Sequence, residues 1–334
     1  MTWHDFPDDR FPVFGLGWWE ETKPHLWRLP ERVRDKVPEA VWNLSQMPSG
    51  ARLRFRTNSP SLALRLRYPP LSYMNNMPRI GQAGIDLYVD GQYWRPFFPV
   101  EQEVEAVFFQ RLPAQWREIC LYLPLYFPVE VLAVGLEEGA AVQAPSSFAQ
   151  ELPVVYYGSS ITQGGCAGRP GMSYQALVGR ALNLDFVNLG FSGWGRGEPA
   201  VAQIVAELEA CCFVMDFCQN VPTVEGLEEV YAPFLETLRA AHPDTPMICI
   251  TPIFGMSEVW GEDPHRLPRM RDVIRRAVAD RIAAGDRHLM VVEGYSLLGP
   301  NDREGLVDAS HPTDLGFVSM ARGLQGPLQA ALGT

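Results

Sequence analysis

The hydrophobic period of this chain changes once, near residue 140, and that change constrains its fold more than any other feature. Before it, apolar and polar residues alternate. In A-R-L-R-F-R at 51–56, Leu53 and Phe55 face one way while Arg52, Arg54 and Arg56 face the other. In S-L-A-L-R-L-R-Y, Leu62, Leu64, Leu66 and Tyr68 repeat the pattern against Ala63, Arg65 and Arg67. A period of two sends successive side chains to opposite faces of a strand. Asp90-Gly91 stands between two strand-like runs, as a type I′ hairpin requires. Further runs at 103–109, 116–123 and 129–136 bring the count to about eight strands with almost no helical pattern between them. The expectation for 1–140 is an all-β sandwich, jelly-roll-like, with period two from residue 40 onward.

After the change, short apolar runs alternate with helical patterns. Strands are predicted at 154–157, 186–189, 213–217, 247–251 and 289–292. The clearest helix runs over 226–241, where Leu227, Val230, Tyr231, Phe234, Leu235 and Leu238 form one stripe. Helices are also predicted at 266–284 and 314–332. Strands alternating with helices imply a parallel sheet covered on both faces, a three-layer α/β/α domain over 150–334. A chain of 334 residues is long for one core, which agrees with two domains. The small, polar stretch 138–150 is the expected link.

Four short segments carry chemistry, and all follow predicted strands, where open parallel sheets place their ligands. They are G-S-S-I-T-Q-G at 158–164, N-L-G-F-S-G at 188–193, D-F-C-Q-N at 216–220 and D-A-S-H-P-T at 308–313. Ser160 lies in a glycine-flanked turn, where a hydroxyl can be presented to a substrate. Read from residues alone, Ser159 or Ser160 could equally cap the next helix. Asp308, three residues before His311, can accept its Nδ1–H and leave Nε2 facing a serine. Gly193 lets a backbone N–H approach an oxyanion, and the neutral Asn220 can donate beside it. The glycines at 190, 193, 195 and 197 also suit a strand-to-helix turn. They do not make a dinucleotide fingerprint, because Glu198 stands three after Gly195, and no phosphate-binding P-loop occurs. Trp194 disrupts any G-x-S-x-G elbow at Ser192.

In this set and order the segments resemble the SGNH hydrolases, also called the GDSL esterase and lipase family. The resemblance implies Ser160 as nucleophile, Asp308 and His311 as its partners, and the Ser160 amide, Gly193 and Asn220 as oxyanion donors. Ser159 stands where many members carry Asp. G-I-D-L-Y at 84–88 is similar to a bacterial subgroup with a "GxDLY" β-rich N-terminal domain. The activity implied is a serine esterase acting through an acyl-enzyme, with a short acyl group, acetyl above others, on a carbohydrate or similar polar molecule. A thioesterase or lysophospholipase and a non-catalytic sugar-binding protein are the alternatives.

Trp194, Arg196, Arg169 and Trp260 fall beside the catalytic segments and are the expected substrate rim. The loop 70–83, with Tyr73, Asn75, Asn76 and Arg79, could wall the site from the N-terminal domain; a solvated loop is the other reading. The arginines at 52, 54, 56, 65 and 67 read as a solvated sheet face paired with acids, with a stripe for an anionic ligand as the alternative. Most tryptophans read as core. No metal or cofactor is expected, since Glu262, Asp263 and His265 read as a solvated turn. A net charge of −11 argues against nucleic acid and anionic membrane as partners. No run nears the ~18 apolar residues of a span. With 47% hydrophobic and 20% charged residues, the composition is that of a soluble globular protein. The start of the chain has no secretory pattern, and six cysteines without a C-x-x-C pair suit a reducing cytoplasm. Homo-oligomers are left open.

Overall fold

The computed structural model describes residues 1–334. Its first ten strands are β1 (Thr2–Asp5), β2 (Val13–Phe14), β3 (Arg52–Thr57), β4 (Leu62–Arg67), β5 (Ile85–Val89), β6 (Gln92–Phe97), β7 (Glu103–Phe109), β8 (Arg117–Tyr122), β9 (Glu130–Leu136) and β10 (Val142–Gln143). One sheet has the order β1-β9-β4-β7, the other β10-β3-β8-β5-β6 with β2 beside β3. All neighbours are antiparallel. Leu53, Phe55, Leu64, Leu66, Leu87, Ile119 and Leu121 meet between the sheets, the inward set that the alternation predicts. At the hairpin, Asp90 and Gly91 have φ of 50° and 74°, the signs a type I′ turn needs.

The arginines divide. Arg65 and Arg67 are exposed and pair with Glu105, Glu103 and Glu130. Arg52 and Arg54 are only 2% and 7% exposed, so the expectation of one solvated face fails for β3. Its outer face lies on the second half of the chain, where Arg52 pairs with Asp185 and stacks 3.9 Å over Phe186. An alternating pattern marks two faces but cannot say whether the polar one meets water or another domain.

The second half holds β11 (Val154–Gly158), β12 (Phe186–Gly190), β13 (Cys212–Asp216), β14 (Met247–Ile250) and β15 (Leu289–Val292), all parallel in the order β12-β11-β13-β14-β15. Alternation along β11 builds the three layers. Val155 and Tyr157 pack with Leu227, Phe234 and Leu235 of the helix Val224–Ala241. Val154 and Tyr156 pack with Val178 of Tyr174–Leu182 and with Phe317 and Leu324 of Asp314–Leu332. Each such buried aliphatic or aromatic side chain contributes ~1.5–3 kcal/mol relative to exposure.

Two local expectations need correction. Glu39–Ser45 is a helix, and with Trp18, Leu29, Val33 and Val37 it puts Val41 and Trp42 into the core of the second half. The link expected over 138–150 contains β10, which extends the sandwich instead. The six cysteines are free. No helix is long and apolar enough to cross a membrane.

Candidate active site

β11 delivers the nucleophile turn to the carboxyl edge of the sheet. A Cβ on Gly158 would lie 2.4 Å from the Asp216 carbonyl, so only glycine lets the turn fold against β13. Ser159 takes the capping role: its Oγ accepts from Ile161 N at 3.3 Å at the head of the helix Ser160–Gln163. Ser160 Oγ is instead 2.8 Å from Nε2 of His311. The two readings open for these serines thus fall on different residues.

His311 Nδ1 lies 2.9 Å from both carboxylate oxygens of Asp308. The loop that holds this pair is fastened locally. Oδ1 of Asp308 also accepts from His311 N at 2.9 Å and Ser310 N at 3.3 Å, while Ala309 adopts a φ of 73°. Thr313 caps the following helix through Gly316 N. Burial alone would raise the Asp308 carboxyl, but an Asn76 amide and the His311 donors outweigh it and hold it at about 2. Asp308 is therefore ionised far below neutral pH.

Gly193, with φ of 71°, has nothing within 4 Å of where a Cβ would stand. Its N–H and that of Ser160 have no protein acceptor. Two side chains hold the Gly193 turn from behind. Arg196 donates to the Gly193 carbonyl at 2.9 Å and stacks 4.5 Å over Trp194. Asn220 Nδ2 donates to the Trp194 carbonyl at 2.6 Å, which leaves its second N–H free. Arg266 in turn grips the carbonyls of Gln219 and Val221 on either side of Asn220.

The expected rim is only partly a rim. Arg169 is engaged elsewhere: it donates to Asp86 Oδ2 and to the Tyr88 hydroxyl, both at 2.7 Å, and lies 3.8 Å over Tyr93. A guanidinium so engaged is a domain clamp and has little left for a ligand. Arg196 and Trp194 brace each other, with Trp194 partly buried against the core. Trp260 is 77% exposed, on the short helix Ser257–Trp260. That helix is tied to the Asp308 loop through Met256 N and the Ala309 carbonyl at 2.9 Å.

Several residues at the site were missed from sequence. Asp86 of the G-I-D-L-Y segment is fully buried and accepts from Gly171 N at 2.8 Å as well as from Arg169. Tyr126 donates to the Ser160 carbonyl at 3.3 Å. Arg28, 1% exposed, donates to the carbonyls of Asn188, Gly190, Leu44 and Met47, holding the end of β12 just before the Gly193 turn. Its charge has no carboxylate beside it, and burial lowers its basicity. Only the D-L-Y motif offered a signal, and it pointed to a family without pointing to a task.

Donor atoms of Cys166, Asp308 and His311 lie within 4.8 Å of one another. Burial pushes the Cys166 thiol up to about 12, away from the thiolate a metal prefers, and both histidine nitrogens already have partners. At the other acidic segment, Asp263 pairs with Arg269 on the surface.

Residues 151–329 match the sequence model of the GDSL-like lipase/acylhydrolase family, and residues 1–142 match that of the GxDLY N-terminus of SGNH-hydrolase-type esterases. No curated protein matches the chain. Among solved structures, a protein from Bacteroides ovatus described as a GDSL-like lipase is 29% identical, with TM-score 0.90 over 99% of this chain and 98% of its own. The salicylyl-acyltransferase SsfX3 of a tetracycline biosynthetic pathway is 22% identical, with TM-score 0.85 over 100% and 98%. The acetyl xylan esterase Est2A from Butyrivibrio proteoclasticus shares the fold at 12% identity, with TM-score 0.68 over 100% of both chains.

Proposed function

Because the chain belongs to the GDSL-like lipase/acylhydrolase family, we propose that it is a serine esterase that removes a short acyl group, acetyl above others, from a carbohydrate or similarly polar alcohol. The observation that carries this reading is the aligned set Ser160 Oγ, His311 Nε2, His311 Nδ1 and Asp308, with contacts of 2.8 and 2.9 Å. Ser160 attacks the ester carbonyl carbon while Nε2 of His311 takes the hydroxyl proton. Asp308 keeps the tautomer that leaves Nε2 open and stabilises the imidazolium. The oxyanion rests on the N–H groups of Ser160 and Gly193 and the free N–H of Asn220. The leaving alcohol takes the proton from His311; a water, deprotonated by the same nitrogen, then attacks the acyl carbon, and His311 returns the proton to Ser160 Oγ as the acid leaves.

The polar alcohol is supported by Trp260, an exposed indole beside the Asp308 loop on which a sugar ring can stack. The relatedness in fold to an acetyl xylan esterase points the same way. The test is hydrolysis of an aryl-ester chain-length series and of acetylated sugars by wild type and Ser160→Ala. Expected are a preference for acetyl and a loss on the order of 10⁴-fold or more in the variant. Activity surviving in Ser160→Ala would remove the acyl-enzyme, and a rise in rate with chain length would remove the short acyl group.

A further inference from the structure

The outer oxygen of Asp308 is not left to solvent. Its Oδ2 accepts from Asn76 Nδ2 at 3.0 Å, and Asn76 comes from the sandwich, 232 residues earlier in the chain. The same residue reaches the nucleophile loop, where its carbonyl accepts from Cys166 Sγ at 3.4 Å. Asn76 thus bridges the loop after Ser160 and the loop that holds Asp308 and His311. We propose that Asn76 is a positioning residue of the hydrolytic site, through which the N-terminal domain fixes Asp308 in the orientation His311 requires. This rests on the esterase reading above.

The loop carrying Asn76 is built to hold a position. Met77, next to it, is buried in the catalytic half among Ile161, Cys166 and Ala167. A Cβ on Gly81 would lie 2.0 Å from the Ala167 carbonyl, so the short helix Arg79–Ala83 sits directly on the nucleophile loop. Gln82, 1% exposed, closes the loop on itself: its Oε1 accepts from Met74 N, and its Nε2 donates to the carbonyls of Met74 and Met77.

The need for such a holder is physical. Asp308 and His311 are both partly exposed, at 30% and 23% of their side chains, so water competes for the carboxylate. The loop's backbone N–H groups both go to Oδ1, so apart from the His311 ring at 2.9 Å the only donor that Oδ2 receives is Asn76. Asn76 holds that oxygen with a neutral donor, which adds no charge to the site. The titratable groups facing Asp308 are His311 and Cys166.

Asn76→Ala should lower kcat by ~10- to 100-fold, the usual worth of a hydrogen bond to a charged group, with KM within about twofold. In an Asp308→Asn background the same change should cost less than about threefold, because its target is gone. Asn76→Asp keeps the shape and puts a second negative charge beside the dyad. That charge favours imidazolium, so the acidic limb of kcat/KM should move to higher pH. If Asn76→Ala does not fold, the Asp variant alone decides. An unchanged kcat, an equal loss in the Asp308→Asn background, or an unmoved limb in Asn76→Asp overturns the proposal. Failure of the esterase reading is separate, since it appears as activity in Ser160→Ala.

Discussion

Replacing Asp86 by alanine should loosen the joint between the two halves by an amount the structure sets. Asp86 is fully buried, and its Oδ2 accepts from Arg169 Nη1 at 2.7 Å and from Gly171 N at 2.8 Å. Removing one partner of a buried pair typically costs ~3–5 kcal/mol, most of it the uncompensated charge left behind. Arg169 keeps 20% of its side chain in water and retains the Tyr88 hydroxyl, which places it at the low end. Two features reduce the value further: burial raises the Asp86 carboxyl even beside Arg169, and its Oδ1 has no partner. A net loss of about 2–3 kcal/mol follows. At ~2 °C or more per kcal/mol for a chain this long, Tm should fall by about 4–6 °C. Thermal melts of Asp86→Ala, Arg169→Met and the double variant test this, and the pair should couple by at least about 1 kcal/mol. A Tm within 1 °C of wild type, or strictly additive losses, would refute the clamp.

Other outcomes are equally specific. Asn220→Ala should lower kcat by roughly 10²–10³-fold with little change in KM, because its free N–H is used most as the oxyanion forms; steady-state kinetics decide it. With Asp308 ionised down to about 2, the acidic side of kcat/KM should be a single one-proton limb, and a second ionisation above pH 4 would count against that value for Asp308. The same group has a depressed folded value, so its stabilisation is present above the ordinary carboxylate range and is lost as pH falls toward 2. Asp216 behaves oppositely. Burial raises it to about 6 despite hydrogen bonds from Tyr174 and Thr162. Its contribution is therefore full below the unfolded carboxylate value and lost as pH rises through 6. The Tm difference of Asp216→Asn over wild type should then grow from pH 4 to pH 7, as calorimetry would record.

Much of this was legible in the sequence, for identifiable reasons. The five parallel strands announce themselves because strands buried on both faces are continuous apolar runs, and the helix 314–332 has the bounds its pattern predicts. Ser160, Asp308 and His311 are readable because each sits in a short local motif. Contacts made across the fold left no such trace. Arg52 looks the same as Arg65 along the chain, yet one is sealed between domains and the other is in water. Arg169 looked like rim because it follows the nucleophile turn, and only its partners on β5 give its role. The loop of Asn76 could be read as a wall of the site or as a solvated turn, and nothing local chose between them or pointed to Asp308; Arg28 has no local pattern at all.

The segment from Trp18 to Trp42 has a consequence for how the chain is made. It leaves the ribosome early, yet its apolar side chains pack in the core of the second half. Arg28 waits for the carbonyls of Asn188 and Gly190, and Arg32 and Trp18 wait for Glu207. Those partners are synthesised roughly 150–190 residues later, a delay on the order of 10 to 30 seconds at ~5–20 residues per second. During that interval two tryptophans and several aliphatic side chains are nascent hydrophobic surface, open to chaperones and to neighbouring chains. Vectorial folding can finish the sheets of the sandwich first, β1 included, but the segment from Trp18 to Trp42 is among the last to dock.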